Sequence, residues 1–135
     1  MSKMKIRVHE ARKHLVWAGD NLDIDDGGDG VIVNPANGQT YYTLEAAHRI
    51  VSNVRGWHMP TKSEVNAFSK LDLPCYGKFN PYADKFEYVN VNGFYWTSTS
   101  NDDRYTWSLH ATRDGIVSLS ADDDNYYLSV RLVKD

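Results

Sequence analysis

Cysteine occurs once in this 135-residue chain, at Cys75. A lone thiol closes no internal disulfide and builds no cysteine-rich zinc site, which fits folding in a reducing compartment. Long apolar runs are missing as well. No stretch approaches the roughly 18 residues that a membrane-spanning helix requires, so membrane insertion is not expected. Positive charge is nowhere concentrated. Fifteen Lys and Arg stand against 18 Asp and Glu, a formal net charge of −3, and the lack of a basic stripe argues against nucleic-acid binding. Residues 1–10 contain no apolar signal core, so no secretory signal is expected. Phosphate loops, Ser-His-Asp arrangements and zinc motifs are not visible. The five histidines, His9, His14, His48, His58 and His110, are scattered without ligand spacing. No catalytic residue is therefore nominated, and the chain reads as a binding protein and not an enzyme.

What is abundant is aromatic. Hydrophobic (41%) and charged (24%) residues are ordinary for a soluble protein, but four Trp, nine Tyr and four Phe make up 13% of the chain. Trp and Tyr join a large apolar body to a polar tip, so they suit both loop-rich cores and binding surfaces. The length corresponds to one domain, large enough to bury a core without metals or disulfides.

Residues 5–10 alternate apolar and polar and read as a short strand, and residues 14–18 form a second apolar segment. Residues 20–30, with three glycines and five aspartates, must be loop. Val31-Ile32-Val33 reads as a strand closed by an Asn37-Gly38 turn, and Tyr41-Tyr42-Thr43 resumes extended structure. A helix is expected from about Leu44 to Val51, with Leu44, Ala47, Ile50 and Val51 on one face and Thr43 as N-cap. A second helix starts at the capping box Thr61-Lys62-Ser63-Glu64, uses Val65, Phe68 and Leu71 as its apolar side, and ends at Leu73-Pro74. The remainder is strands and turns. The last strand, 127–133, places Leu128, Val130 and Leu132 on one face. The order predicts an α+β fold with two short helices packed on a mostly antiparallel, twisted sheet.

Four segments in a fixed order carry a family resemblance. They are Trp17-Ala18-Gly19-Asp20-Asn21-Leu22; Tyr41-Tyr42-Thr43-Leu44-Glu45-Ala46-Ala47; Gly56-Trp57-His58-Met59-Pro60-Thr61; and Gly93-Phe94-Tyr95-Trp96-Thr97-Ser98-Thr99, with the tail from Ser129 to Asp135 closing the set. Over about residues 15–135 the chain resembles the Fibrobacter succinogenes major paralogous domain family. It is also similar to that family's relatives, the variable proteins of diversity-generating retroelements and the receptor-binding tips of phages. The resemblance implies a C-type-lectin-like fold at 14–135, preceded by a strand or anchoring segment at 1–13. It also implies a non-catalytic adhesion domain of a bacteriophage virion that contacts a host surface glycan or protein, beside other virion proteins and as a homo-oligomer, a trimer above all. A virion decoration or cement protein is the alternative, and an enzyme of the formylglycine-generating type a more distant one. That enzyme type relies on paired cysteines, and only Cys75 is present. Within these motifs Trp57, Trp96 and Trp107 are expected in the core, His58 as a buried hydrogen-bonded residue, and Arg131 as an internal polar tie. Secreted relatives tend to carry a cysteine three residues before the glycine of the Gly-Trp segment and another in the last strand, where this chain has Asn53 and Leu132. Such a bridge would contribute roughly 3–5 kcal/mol, and its loss fits virion assembly in the host cytoplasm. A bacterial cell surface is the alternative location.

No cofactor is nominated. The sugar-binding calcium motifs of true C-type lectins do not occur. The acidic loop at 23–29 offers clustered oxygens for calcium but fails the EF-hand pattern: from Asp23, the fifth position is Gly27 and the twelfth Asn34. A solvated loop is the alternative reading, and the same pair of readings applies to Asp122-Asp123-Asp124-Asn125. Ligand binding is assigned by position to the last third, where Tyr supplies contact area at low entropy cost and Asn, Asp and Ser supply adaptable hydrogen bonds. The candidates are Asn101, Asp102, Arg104, Tyr105, His110, Arg113, Asp122, Asp124, Asn125 and Tyr126. Ordinary polar loops are the competing explanation for each.

Overall fold

The computed structural model describes residues 15–134. The strand expected at 5–10 and the anchoring segment at 1–13 lie outside the described residues. Within them the fold is mixed α+β and mainly antiparallel. The strands are β1 (Val16–Trp17), β2 (Val31–Val33), β3 (Thr40–Tyr42), β4 (Lys78–Asn80), β5 (Lys85–Glu87), β6 (Asn92–Ser100), β7 (Tyr105–Thr112), β8 (Val117–Asp123) and β9 (Val133–Lys134). The helices α1 (Leu44–Val51) and α2 (Lys62–Asn66) fall between β3 and β4. β2 and β3, and β4 and β5, form hairpins, β6, β7 and β8 form a meander, and β1 pairs with β9. Among the described residues no helix is long and apolar enough to cross a membrane.

Both helices begin where the side chains dictate. The Thr43 hydroxyl accepts the Ala46 N–H, and Ala46, Ala47 and Ile50 turn inward at helical spacing. In α2 the Thr61 hydroxyl accepts the Glu64 N–H at 3.1 Å while the Glu64 carboxylate accepts the Thr61 N–H at 2.9 Å, a complete capping box. α2 is shorter than expected, ending at Asn66 instead of near Leu73. The backbone beyond it has other partners: Leu71 N–H donates to the Gly115 carbonyl and Val117 N–H to the Ser69 carbonyl. These tertiary bonds to the β7–β8 turn outweigh local helix propensity, while Phe68 and Leu71 still pack on the core.

β6 separates two cores because successive strand side chains point to opposite faces. Phe94 and Trp96 join Tyr42, Ala46, Ala47, Ile50, Met59 and the C-terminal apolar residues. Tyr95 joins Val65, Leu73, Leu109, Ala111 and Val117 on the other side. Trp96 is fully buried, and its indole N–H donates to the Tyr42 carbonyl at 2.7 Å. The Tyr95 hydroxyl donates to the Pro74 carbonyl at 2.6 Å, and burial pushes its pKa well above the ordinary phenol value.

The C-terminal segment departs from the continuous strand expected over 127–133. Tyr127, Leu128 and Ser129 make single bridges to Phe79, Tyr42 and Tyr95 in turn, and only Val133–Lys134 is a strand. Leu22 N–H reaches the Val130 carbonyl and Ala18 N–H the Leu132 carbonyl. The thread changes partner at almost every step, so no ladder forms, yet it is buried on both sides from Leu128 to Val133. Leu128, Val130 and Leu132 do share one core. Arg131, 8% exposed, donates to the Asn21 side-chain oxygen and the Ala18 carbonyl, each at 2.8 Å, tying this thread to the first motif.

Candidate ligand-binding face

The meander face that carries Phe94 also carries His110, Ser108, Ser118, Ser120 and Asp122, by the cross-strand register. Part of this face is covered by the β4–β5 hairpin, which brings Lys78 across it. The Lys78 ammonium lies 2.7 Å from Asp122 Oδ1, and Asp122 Oδ2 accepts the Ser108 hydroxyl at 2.7 Å. Lys78 Nζ is also 4.3 Å from the Phe94 ring centroid, 5.2 Å from Tyr126 and 5.8 Å from Tyr88. Each ring presents its negative face to the cation.

Around this charge the aromatic rings form a strip of two groups, bridged by Lys78. Tyr82 meets Tyr126 at 5.8 Å, Tyr88 meets Phe94 at 5.5 Å, and Phe94 stacks on His110 at 5.0 Å with 9° between planes. Tyr82 and Tyr88 are largely exposed, at 66% and 52%. Tyr82 is held by its hydroxyl, which donates to Asp123 at 3.2 Å and accepts from the Asn125 amide at 3.3 Å. Tyr88 adopts φ +60°, a left-handed conformation uncommon for a bulky side chain and enriched at functional positions. Gly77 makes the approach possible. A Cβ there would collide with the Glu87 carbonyl oxygen and press on the backbone of Tyr88 and Val89. Desolvation raises the Tyr126 phenol above its ordinary pKa, so it stays a neutral donor and acceptor.

The ten residues assigned from sequence do not all meet. Asp124, Asn125, Tyr126 and His110 lie on or beside the aromatic strip. Asn101, Asp102, Arg104 and Tyr105 form and follow the β6–β7 turn, which joins the same end because Asp124 N–H donates to the Arg104 carbonyl at 2.9 Å. The Asp102 carboxylate is committed to that turn, accepting the Arg104 and Tyr105 N–H groups at 2.8 and 2.9 Å. Asp122 is 4% exposed and engaged by Lys78 and Ser108, so it positions the face without meeting solvent. Asp124 is half-buried and accepts the Thr106 hydroxyl at 2.7 Å. Arg113 follows the end of β7 opposite the β6–β7 turn, three residues beyond His110, and lies beside Cys75 and Asn90. Lys78, Tyr82, Tyr88 and Asp123 were not in the set. Their signal was the aromatic repeat Phe79, Tyr82, Phe86, Tyr88 around Asn80-Pro81, a hairpin readable from its turn residues.

Other expectations are also resolved by position. His58 is not buried: its side chain is 42% exposed and pairs with Glu64 at 3.1 Å, because it faces an open cleft. Trp57 and Trp107 are half-buried, under Lys134 and Lys62 respectively, while Trp96 fills the core. In the 23–29 loop, Asp23 accepts the Thr40 hydroxyl and Asp26 takes Arg49 through both oxygens at 2.8 and 3.0 Å. The Arg49 hydrogen bond lowers the Asp26 pKa to about 2. Among the described residues no group of three His, Cys, Asp or Glu side chains converges as metal ligands. Burial raises the Cys75 thiol, the opposite of what activates a nucleophilic cysteine. No protein-family model, curated protein or solved structure matches the chain.

Proposed function

We propose that this chain is a C-type-lectin-like adhesion domain of a phage virion, holding a host-surface glycan or protein on the tyrosine strip around Lys78. The observation that carries the reading is the pair of largely exposed tyrosines, Tyr82 and Tyr88, fixed on a platform whose charges are internally compensated. Exposed Tyr held in one geometry gives contact area at little entropic cost, and the adjoining Asn125 and Asp123 supply hydrogen bonds at its rim. The antiparallel closure of the first strand on the last, the two helices before a meander, and the burial of Trp96 all accord with the lectin-like resemblance. Assembly in the host cytoplasm, attachment to a virion and trimeric association follow from that resemblance and the lone cysteine.

The test is binding of the fluorescently labelled chain to a panel of bacterial cells and their purified surface polysaccharides. Saturable binding to at least one cell type, displaced by unlabelled protein, is expected. Absence of saturable binding across the panel, or oligomers that bind only other virion proteins, would move the role to virion cement.

A further inference from the structure

A second site lies apart from the tyrosine strip and shares no residue with it. Between the end of α1, the loop at 54–59 and Ser98 of β6 is a cleft of about 480 Å³, within the size range of small-molecule sites. Its walls combine the Trp57 indole and Met59 with His48, Arg55, His58 and Ser98. Three nitrogen bases thus line one opening on a chain of net charge −3, and no carboxylate lines it among the described residues.

Glu64 compensates His58, so recognition of an acid at this opening rests on Arg55 and His48. His58 Nε2 is engaged by the Glu64 carboxylate at 3.1 and 3.2 Å, and that carboxylate is itself fixed by the Thr61 N–H, so the imidazole orientation is set by the capping box of α2. Lys134 Nζ stands 4.8 Å from the Trp57 ring centroid. The last carbonyls of α1, which would otherwise offer negative charge here, already have partners. Ser52 N–H serves His48, Asn53 N–H serves Ile50, and the Ser52 hydroxyl and Asn53 amide serve Arg49. Arg55 is exposed and makes no hydrogen bond or ion pair among the described residues.

We propose that this cleft binds an acidic sugar residue, with the sugar ring beside the accessible part of Trp57 and Met59 and the acid group on Arg55 and His48. The apolar body of an indole suits the C–H surface of a sugar, and a guanidinium fork suits a carboxylate. Neutral sugars lack the group that the Arg55 guanidinium would engage.

The test is an NMR titration of the 15N-labelled full chain with sodium D-glucuronate, sodium N-acetylneuraminate and neutral methyl glucoside, at constant ionic strength set with sodium chloride. The two acids are expected to shift the Trp57 indole N–H and the Ser98 amide saturably, and the neutral glycoside to leave them in place. Arg55→Glu, at an exposed position, should fold normally and weaken the acid response by about tenfold or more. Equal shifts with the neutral glycoside, shifts reproduced by chloride alone, or an undiminished response in Arg55→Glu would overturn the proposal. Shifts confined to Tyr82, Tyr88 and Tyr126 would overturn it too, while leaving the tyrosine strip as the ligand face.

Discussion

Lys78 and Asp122, 44 residues apart, meet at 2.7 Å with side chains 14% and 4% exposed. This contact pins the β4–β5 hairpin to β8, and with it the alignment of Tyr82, Tyr88 and Tyr126. A buried pair stabilises little over an apolar pair of equal shape, but removing one partner leaves an uncompensated charge. Lys78→Ala should therefore cost about 3–5 kcal/mol, whereas the double change Lys78→Met with Asp122→Leu should recover most of that loss. Urea unfolding of both variants decides. A loss below about 1 kcal/mol in Lys78→Ala would mean that the pair behaves as a surface salt bridge.

Tyr88 presents an ordering test. At φ +60° a side chain with a Cβ is strained, by about 1 kcal/mol relative to glycine. Its ring contacts to Phe94 and Lys78 contribute a similar amount in the other direction. Tyr88→Gly should thus leave stability nearly unchanged, while Tyr88→Val, which keeps the strain and loses the ring, should be clearly destabilised. Thermal unfolding of the two variants reads the order. Equal losses would show that the left-handed backbone is not a constraint there.

Asp26 gives a pH signature. Its folded pKa lies near 2 because Arg49 holds the carboxylate, below the ordinary value of 3.8. A carboxyl depressed on folding contributes stability above its unfolded pKa, and that contribution fades as pH falls through the folded value. The stability gap between the native chain and Asp26→Asn should be constant above about pH 5 and close by about pH 2. A gap independent of pH across this window would contradict the pairing.

The capping box is tested by Thr61→Ala, expected to cost about 1 kcal/mol, and by Thr61→Ser, expected to cost much less. Denaturant titration measures both. Because Glu64 also orients His58, Glu64→Gln should additionally change the His58 ring environment in NMR spectra without unfolding the chain.

The elements whose cause is local were legible in the sequence. Thr43, Thr61 and Glu64 announce the helix starts, and Asn37-Gly38 announces the β2–β3 turn, where Gly38 takes φ +71°. What long-range bonds decide was not legible. α2 stops early because residues 69–71 bond to residues 115–117, and no periodicity records that. The C-terminal thread reads as an amphipathic strand, but Ser129, Arg131 and Val133 are buried because Asn21, Ala18, His58 and Trp96 supply partners from distant segments. For the ligand face, composition located Asn125 and Tyr126. It did not locate Lys78, Tyr82 or Tyr88, which reach that face only through the hairpin, nor reveal that Arg113 lies at the far end of β7.

The central claim is that the exposed tyrosine edge makes the contact with the ligand. Its most direct measurement compares the native chain with Tyr82→Ala for both cell binding and thermal unfolding. Tyr82 is 66% exposed, so its truncation should change stability by no more than about 0.5 kcal/mol. Cell binding should fall at least about tenfold, as for an aromatic anchor. Binding retained at the native level in a variant that melts like the native chain would contradict the account.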